Sequence, residues 1–228
     1  MATVFTGPRT RMMNVPGPKA LAWIKRDHMN LSPSYSRAYP FVMDHGVGSE
    51  VWDVDGNRYI DLNAGIAVTS TGHAHPAVVK AVKDQAEKFL HMSGTDFYFA
   101  GMIRLAERLN DIRPMKEESF TFFTNSGAEA VEAAIKLARH KTGRQQFIGF
   151  LGGFHGRTMG ALSFTSSKSI YRKDFAPTMP GVTHIPYCNP YRPILATREG
   201  QDYGDAVLDY LEDVIFAQVV PPTEIAGV

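Results

Sequence analysis

The chain reads as an α/β fold that contains a βαβ unit with both loops on one sheet edge. Two observations predict it. Phe120-Thr-Phe-Phe-Thr-Asn-Ser-Gly-Ala-Glu reads as a strand, Ser119 to Phe123, that turns through a small amide-rich corner into a helix running to Arg139. Gln145 to Leu151 is a second apolar run, and it ends in Gly152-Gly-Phe-His-Gly-Arg-Thr158. Two strands joined by one helix place both corners at the carboxyl ends of the strands, where open α/β sheets bind ligands.

The helix has its own start signal. Ser126 stands at the N-cap with Glu129 three residues on, the capping-box spacing. Val131, Ala134, Ile135 and Ala138 follow as one apolar stripe, with Glu132 and Lys136 four apart on the wet side as an expected ion pair. Gly127 and Ala128 fill the first turn, where backbone N–H groups lack intrahelical partners and the dipole is positive. A phosphate there would gain about 0.3–1 kcal/mol from the dipole, up to about 2 when partly buried. In the second corner, Gly152, Gly153 and Gly156 allow close backbone approach, Phe154 offers a flat face and Arg157 a planar fork for a carboxylate. Together these features suit a flat phosphorylated cofactor and an amino-acid-like substrate.

The remaining elements follow in order. Residues 1 to about 38 read as an irregular arm, with Ala20 to Arg26 a short helix and Met12-Met13 as core or subunit contact. Phe41 to Val54 leads into a hairpin whose turn is Asp55-Gly56 and whose return is Asn57 to Leu62. Pro76 opens a helix to about Leu90 with a stripe of Val78, Val79, Val82, Ala86 and Phe89; another helix runs near Gly101 to Asn110. Lys168 to Pro180 is a loop, Val182 to Ile185 a strand, Asn189 to Asp202 a polar excursion. Val207, Leu208, Leu211, Val214 and Ile215 mark a last amphipathic helix.

Three segments, Asn63 to Pro76, Thr124 to Arg139 and Gly153 to Thr158, resemble class III aminotransferases, and the likeness runs in register from about Tyr39 to Val228. The resemblance implies a fold type I pyridoxal-phosphate-dependent transferase. Its sheet would be mostly parallel, with helices on both faces and incomplete here, plus an N-terminal arm and a small antiparallel β hairpin. Residues 1–70 would belong to the small domain and 71–228 to the N-terminal part of the large cofactor-binding domain. Ser126, Gly127 and Ala128 would hold the pyridoxal 5′-phosphate, with Phe154 on its ring and His155 beside it. Arg157 would bind a substrate carboxylate, and Ile66 and Tyr98 would line the substrate entrance. The implied reaction moves an amino group from an ω-amino or basic amino acid, of the 4-aminobutyrate or ornithine type, to a 2-oxo acid.

Family members are roughly twice this length, and their Schiff-base lysine follows the segment matching Val219 to Pro222. That lysine is expected beyond Val228, so no catalytic residue is assigned within this chain. Lys136, Lys141, Lys168 and Lys173 stand outside its motif and read as surface charges. The chain is therefore expected to be an incomplete enzyme, inactive alone. An amino-acid racemase or epimerase on the same scaffold and a non-catalytic fragment are the alternatives. The complete protein would be a homodimer.

Composition narrows the partners. With 24 basic and 23 acidic residues the net charge is +1, which gives no electrostatic case for nucleic acid or an anionic membrane. No apolar run approaches the roughly 18 residues of a membrane span. One cysteine, Cys188, precludes an internal disulfide, and a cytoplasmic location is expected. Five positive charges in the first 26 residues would also suit a transit peptide, but Pro16-Gly-Pro18 interrupts an amphipathic helix there. His73 and His75 lack a third ligand at metal spacing and read as capping and packing before Pro76. No G-x-G-x-x-G or G-x-S-x-G pattern is present, and Ser126 is better a cap than a nucleophile.

Overall fold

The computed structural model describes residues 15–228; Met12 and Met13 lie outside them. The chain forms two compact units that part between Ala100 and Gly101.

In the first unit, the helix α1 (Pro18–Asn30) begins with Pro at its first position, where the missing N–H costs nothing. It is longer than the Ala20–Arg26 segment expected. The Asp55 carboxylate accepts the N–H groups of Lys19 and Ala20 at 2.9 Å each and so caps the helix from the hairpin turn. Ala20 is buried beneath this contact. The sheet is a three-stranded antiparallel meander, β1 (Met43–Val47), β2 (Glu50–Asp53) and β3 (Arg58–Ile60), in the order β1-β2-β3. The Asp55-Gly56 turn expected from sequence joins β2 to β3, with Gly56 at φ 87°. The turn at Gly48, φ 59°, which makes β1 a strand of its own, was not anticipated.

Asp53 is the polar core of this sheet. Its buried carboxylate accepts from the Asp55 and Asn57 N–H groups, the Asn57 amide and the Tyr59 hydroxyl, at 2.8 to 3.0 Å. Burial pushes its pKa up, but the bonds from Asn57, Tyr59 and the Asp55 N–H together outweigh that and leave it below the usual carboxylate range. Burial and the bond to the Asp53 carboxylate push the Tyr59 phenol up to about 12.

After β3 comes α2 (Ala64–Ala67), a single turn with left-handed backbone: φ is 46° at Ala64, 64° at Gly65, 65° at Ile66 and 62° at Ala67. Only Gly accepts that region without steric cost, so three of the four residues carry strain. α3 (Pro76–Ala86) stops a turn short of the expected Leu90, and its stripe of Val78, Val79, Val82 and Phe89 is solvent-exposed. His75 precedes α3 but forms no side-chain cap, contrary to expectation.

The second unit opens with α4 (Ala100–Asp111) and then reaches the segment 119–123, which is not a strand. Phe120 and Phe122 are exposed, and neither edge of the segment is paired among the described residues. Strand identity needs a ladder partner as well as an apolar run. The expected βαβ unit around the helix α5 (Gly127–Thr142) therefore lacks its first strand. Parallel crossovers occur later instead: β4 (Gln146–Phe150), α6 (Met159–Phe164) and β5 (Val182–Ile185), then α7 (Tyr203–Tyr210) and β6 (Ile225–Gly227). The parallel sheet has the order β5-β4-β6.

Central β4 is buried on both faces, which is why it reads as a continuous apolar run. Ile148 joins Ile185, Tyr203, Val207, Ile215 and Ile225 in one cluster; Phe147 joins Ile135 and Phe164 in another. Alternation along the strand sends these neighbours to opposite faces, giving layers of α5 and α6, sheet, then α7. Full burial of a side chain such as Ile148 contributes about 1.5–3 kcal/mol. α7 continues as a π-helical turn, Leu211–Phe216. Along the last amphipathic stripe Val207 and Ile215 are buried, while Leu208 is exposed.

Candidate functional site

The corner that opens α5 (Gly127–Thr142) has the expected cap. Ser126 Oγ accepts the Glu129 N–H at 3.2 Å, so the hydroxyl is a structural acceptor. The reciprocal bond differs from the standard box: Glu129 Oε2 accepts the N–H of Asn125, one residue before the cap, at 2.7 Å. Among the described residues the N–H groups of Gly127 and Ala128 meet no acceptor. A Cβ built at Gly127 would meet no atom within 4 Å, so the turn is open on that side of Gly127. Two free amides at a positive helix end suit a phosphate.

Along α5, Val131, Ile135 and Ala138 pack into the core as the stripe predicts, while Ala134 is exposed. Glu132 does not pair with Lys136. Its Oε1 accepts from Thr158 Oγ1 at 2.6 Å and from the Gly160 and Ala161 N–H groups at 3.0 and 3.1 Å, capping α6 across the site. A carboxylate gains more from free amides and a helix dipole than from an exposed lysine.

The second corner lies against the first. Gly156, at φ 128°, approaches so closely that a Cβ there would sit 2.7 Å from Ala128 Cβ. Its loop is pinned from the segment after α6. Thr165 Oγ1 accepts the His155 N–H at 3.0 Å and donates to the Gly156 carbonyl at 2.9 Å; Ser166 Oγ accepts the Gly152 N–H at 3.1 Å. The N–H groups of Ser166 and Ser167 donate to the Gly153 carbonyl. Phe154 is half exposed and meets the Tyr171 ring edge-on at 5.6 Å. The exposed Arg157 guanidinium lies 5.7 Å from the Phe154 centroid and 5.1 Å from that of Tyr171. Ser126, Gly127, Ala128, Phe154, His155 and Arg157 thus come together on two corners in van der Waals contact. Tyr171 was missed: it stands in a 3₁₀ turn, Ser169–Tyr171, inside a segment read as loop.

Ile66 and Tyr98 belong to the other unit. Ile66 projects from the left-handed turn with 82% of its surface exposed, and Tyr98 is fully exposed. His73, read as packing, has a partner: its Nε2 is 2.7 Å from Asp61 Oδ2, and that carboxylate also accepts the Asn63 and Ala64 N–H groups at 2.8 Å. The bond to His73, then the two amides, hold the Asp61 carboxyl below its usual range. Among the described residues no helix is long and apolar enough to cross a membrane.

Free amides at a helix start beside an aromatic ring and an arginine are features that suit a phosphorylated ligand. Comparison with known proteins is more specific. Residues 32–228 match the model of the class-III aminotransferases. The chain is 41% identical over 216 residues to an alanine/serine racemase of Pyrococcus horikoshii, covering 93% of this chain and 45% of that protein. It is 51% identical over 164 residues to the acetylornithine aminotransferase of Methanopyrus kandleri, covering 72% and 40%. A solved taurine:2-oxoglutarate aminotransferase from Bifidobacterium kashiwanohense, in complex with PLP and glutamate, superposes with a TM-score of 0.78 at 27% identity, over 91% of this chain and 46% of that one. The chain belongs to the class III aminotransferase family, with the fold type I architecture and pyridoxal 5′-phosphate as the cofactor that membership indicates. It spans under half the length of the curated relatives it matches.

Proposed function

We propose that this chain carries the phosphate- and carboxylate-holding part of an aminotransferase that moves an amino group from an ω-amino or basic amino acid to a 2-oxo acid. The observation that carries the reading is the pair of free amides at Gly127 and Ala128, packed directly against the loop that bears Phe154 and Arg157. In this reading the two amides hold the cofactor phosphate, and Ser126 keeps the helix end in shape. Phe154 covers one face of the cofactor ring and keeps water from it, His155 flanks it, and Arg157 orients the substrate carboxylate. Ile66 and Tyr98 bound the substrate entrance. When bound, pyridoxal phosphate supplies an electron sink for the bond broken at the amino-bearing carbon. Residues 1–70 then belong to the small domain and 71–228 to the N-terminal part of the large one, and the working assembly is a homodimer.

Amino-acid racemisation is the second reading, favoured by the 41% identity to the alanine/serine racemase. The test is an assay of the native protein with pyridoxal phosphate: amino transfer from acetylornithine, ornithine and 4-aminobutyrate to 2-oxoglutarate, beside inversion of alanine and serine. Transfer with no inversion supports the first reading; inversion without transfer replaces it with the second.

A further inference from the structure

We infer that Tyr171 is a positioning residue that sets the Arg157 guanidinium for a substrate carboxylate by seating it, together with Phe154, on an aromatic corner. The inference rests on the proposed role of Arg157 as the carboxylate clamp.

Arg157 makes no ion pair and donates no side-chain hydrogen bond among the described residues. What it has instead is two rings within cation–π distance, Tyr171 at 5.1 Å and Phe154 at 5.7 Å. Attraction to a ring leaves the guanidinium hydrogen-bonding capacity unspent, which is what bidentate recognition of a carboxylate requires. A carboxylate neighbour in the protein would instead occupy that capacity.

Tyr171 is well fixed for the task. Its ring meets Phe154 edge-to-face, at 5.6 Å and 70°. The chain leading to it is bonded to the Gly152–Gly156 loop through Thr165, Ser166 and Ser167, which ties the segment that carries the ring to the loop that carries the guanidinium. The Tyr171 hydroxyl makes no hydrogen bond among the described residues, so the ring is the acting group.

The test compares Tyr171→Leu with Tyr171→Phe in the native protein, using three readouts. The first is the Arg157 Nε–H resonance, assigned by its loss in Arg157→Lys. The second is the dissociation constant for glutarate, a simple dicarboxylate. The third is KM and kcat for a carboxylate-bearing amino donor and for a donor amine without a carboxylate. Tyr171→Leu is expected to reduce the ring-current shift to the part that Phe154 supplies and to weaken glutarate about threefold to tenfold. KM for the carboxylate-bearing donor should rise by the same factor, with kcat and the carboxylate-free amine unchanged; Tyr171→Phe should match the wild type throughout. A general loss for both donors, an unchanged glutarate constant in Tyr171→Leu, or a Tyr171→Phe variant as weak as Tyr171→Leu overturns the inference. A wild-type protein that binds no glutarate overturns the reading of Arg157 itself, and this inference with it.

Discussion

The Asp61 carboxylate lies 2.7 Å from His73 Nε2 and fastens the left-handed turn at Ala64–Ala67 to the sheet below it. The fit has no slack: a Cβ at Gly46 would sit 2.7 Å from His73 Cγ, and the backbones of Gly48 and His73 bond in both directions. Because the folded pKa of Asp61 is lowered, its contribution is present above about pH 4 and lost as pH falls through the folded value. Asp61→Asn should lower the urea midpoint at pH 7, and the gap to wild type should narrow at pH 3. Asp84→Asn, which breaks only the exposed pair with Lys80, is the control and should shift little.

Asp53 and Tyr59 make a second pH-dependent pair. Asp53→Asn leaves donors facing an amide, at a cost of about 1–3 kcal/mol near pH 7. That deficit should shrink as pH falls from about 4 through the lowered folded value, where the wild-type carboxylate also protonates. Tyr59, raised to about 12, stabilises the fold while protonated, and its contribution is lost as pH rises from about 10 through 12. An ultraviolet phenolate titration that loses its last transition in Tyr59→Phe would verify the assignment.

Gly156→Ala tests the contact between the two corners. At φ 128° a side chain costs about 1–3 kcal/mol from the backbone alone, before the clash with Ala128 is counted. The variant should unfold at lower denaturant and bind pyridoxal phosphate more weakly. Adding Ala128→Gly should recover part of both losses, measured by denaturation and equilibrium dialysis.

Glu132→Ala removes the cap of α6 and should cost about 1 kcal/mol, up to about 2. A Cβ at Gly160 would collide with the Glu132 carboxylate. Gly160→Ala should therefore be far less damaging on the Glu132→Ala background than on wild type. A double-mutant cycle that proved additive would contradict the contact.

Ile66→Gly should stabilise the protein. The left-handed conformation costs a side chain about 1–2 kcal/mol. Glycine gives back about 0.5–1 in chain entropy, leaving a gain of about 0.5–1. The exposed side chain forfeits little packing. Higher thermal stability with altered substrate preference would fit the proposed place of Ile66 at the entrance.

The parts of this molecule that are decided locally could be read from residue order. Ser126 and Glu129, three apart, announced the helix start, Asp55-Gly56 the turn, and Gly152-Gly-Phe-His-Gly-Arg the second corner. Segments whose state depends on distant partners could not be read that way. Ser119 to Phe123 has a strand's composition yet no ladder, and Glu132 looked like half of a surface pair until α6 presented three donors to it. His73 hid its role because Asp61 lies twelve residues back, with no motif linking them. Tyr171 hid for the same reason, fourteen residues beyond the arginine it supports.

The Glu132 carboxylate also sets an order of assembly. α5 holds both its ends with neighbours in sequence, Ser126 with Glu129 at one and Gly143, φ 70°, with Arg139 at the other. Six-residue α6 has no such local support at its start; its first amides wait for a side chain that α5 must bring to them. A short helix without a cap does not persist by itself. In pulsed hydrogen exchange during refolding, protection should reach the α5 amides first and Gly160 and Ala161 only after the two helices have met.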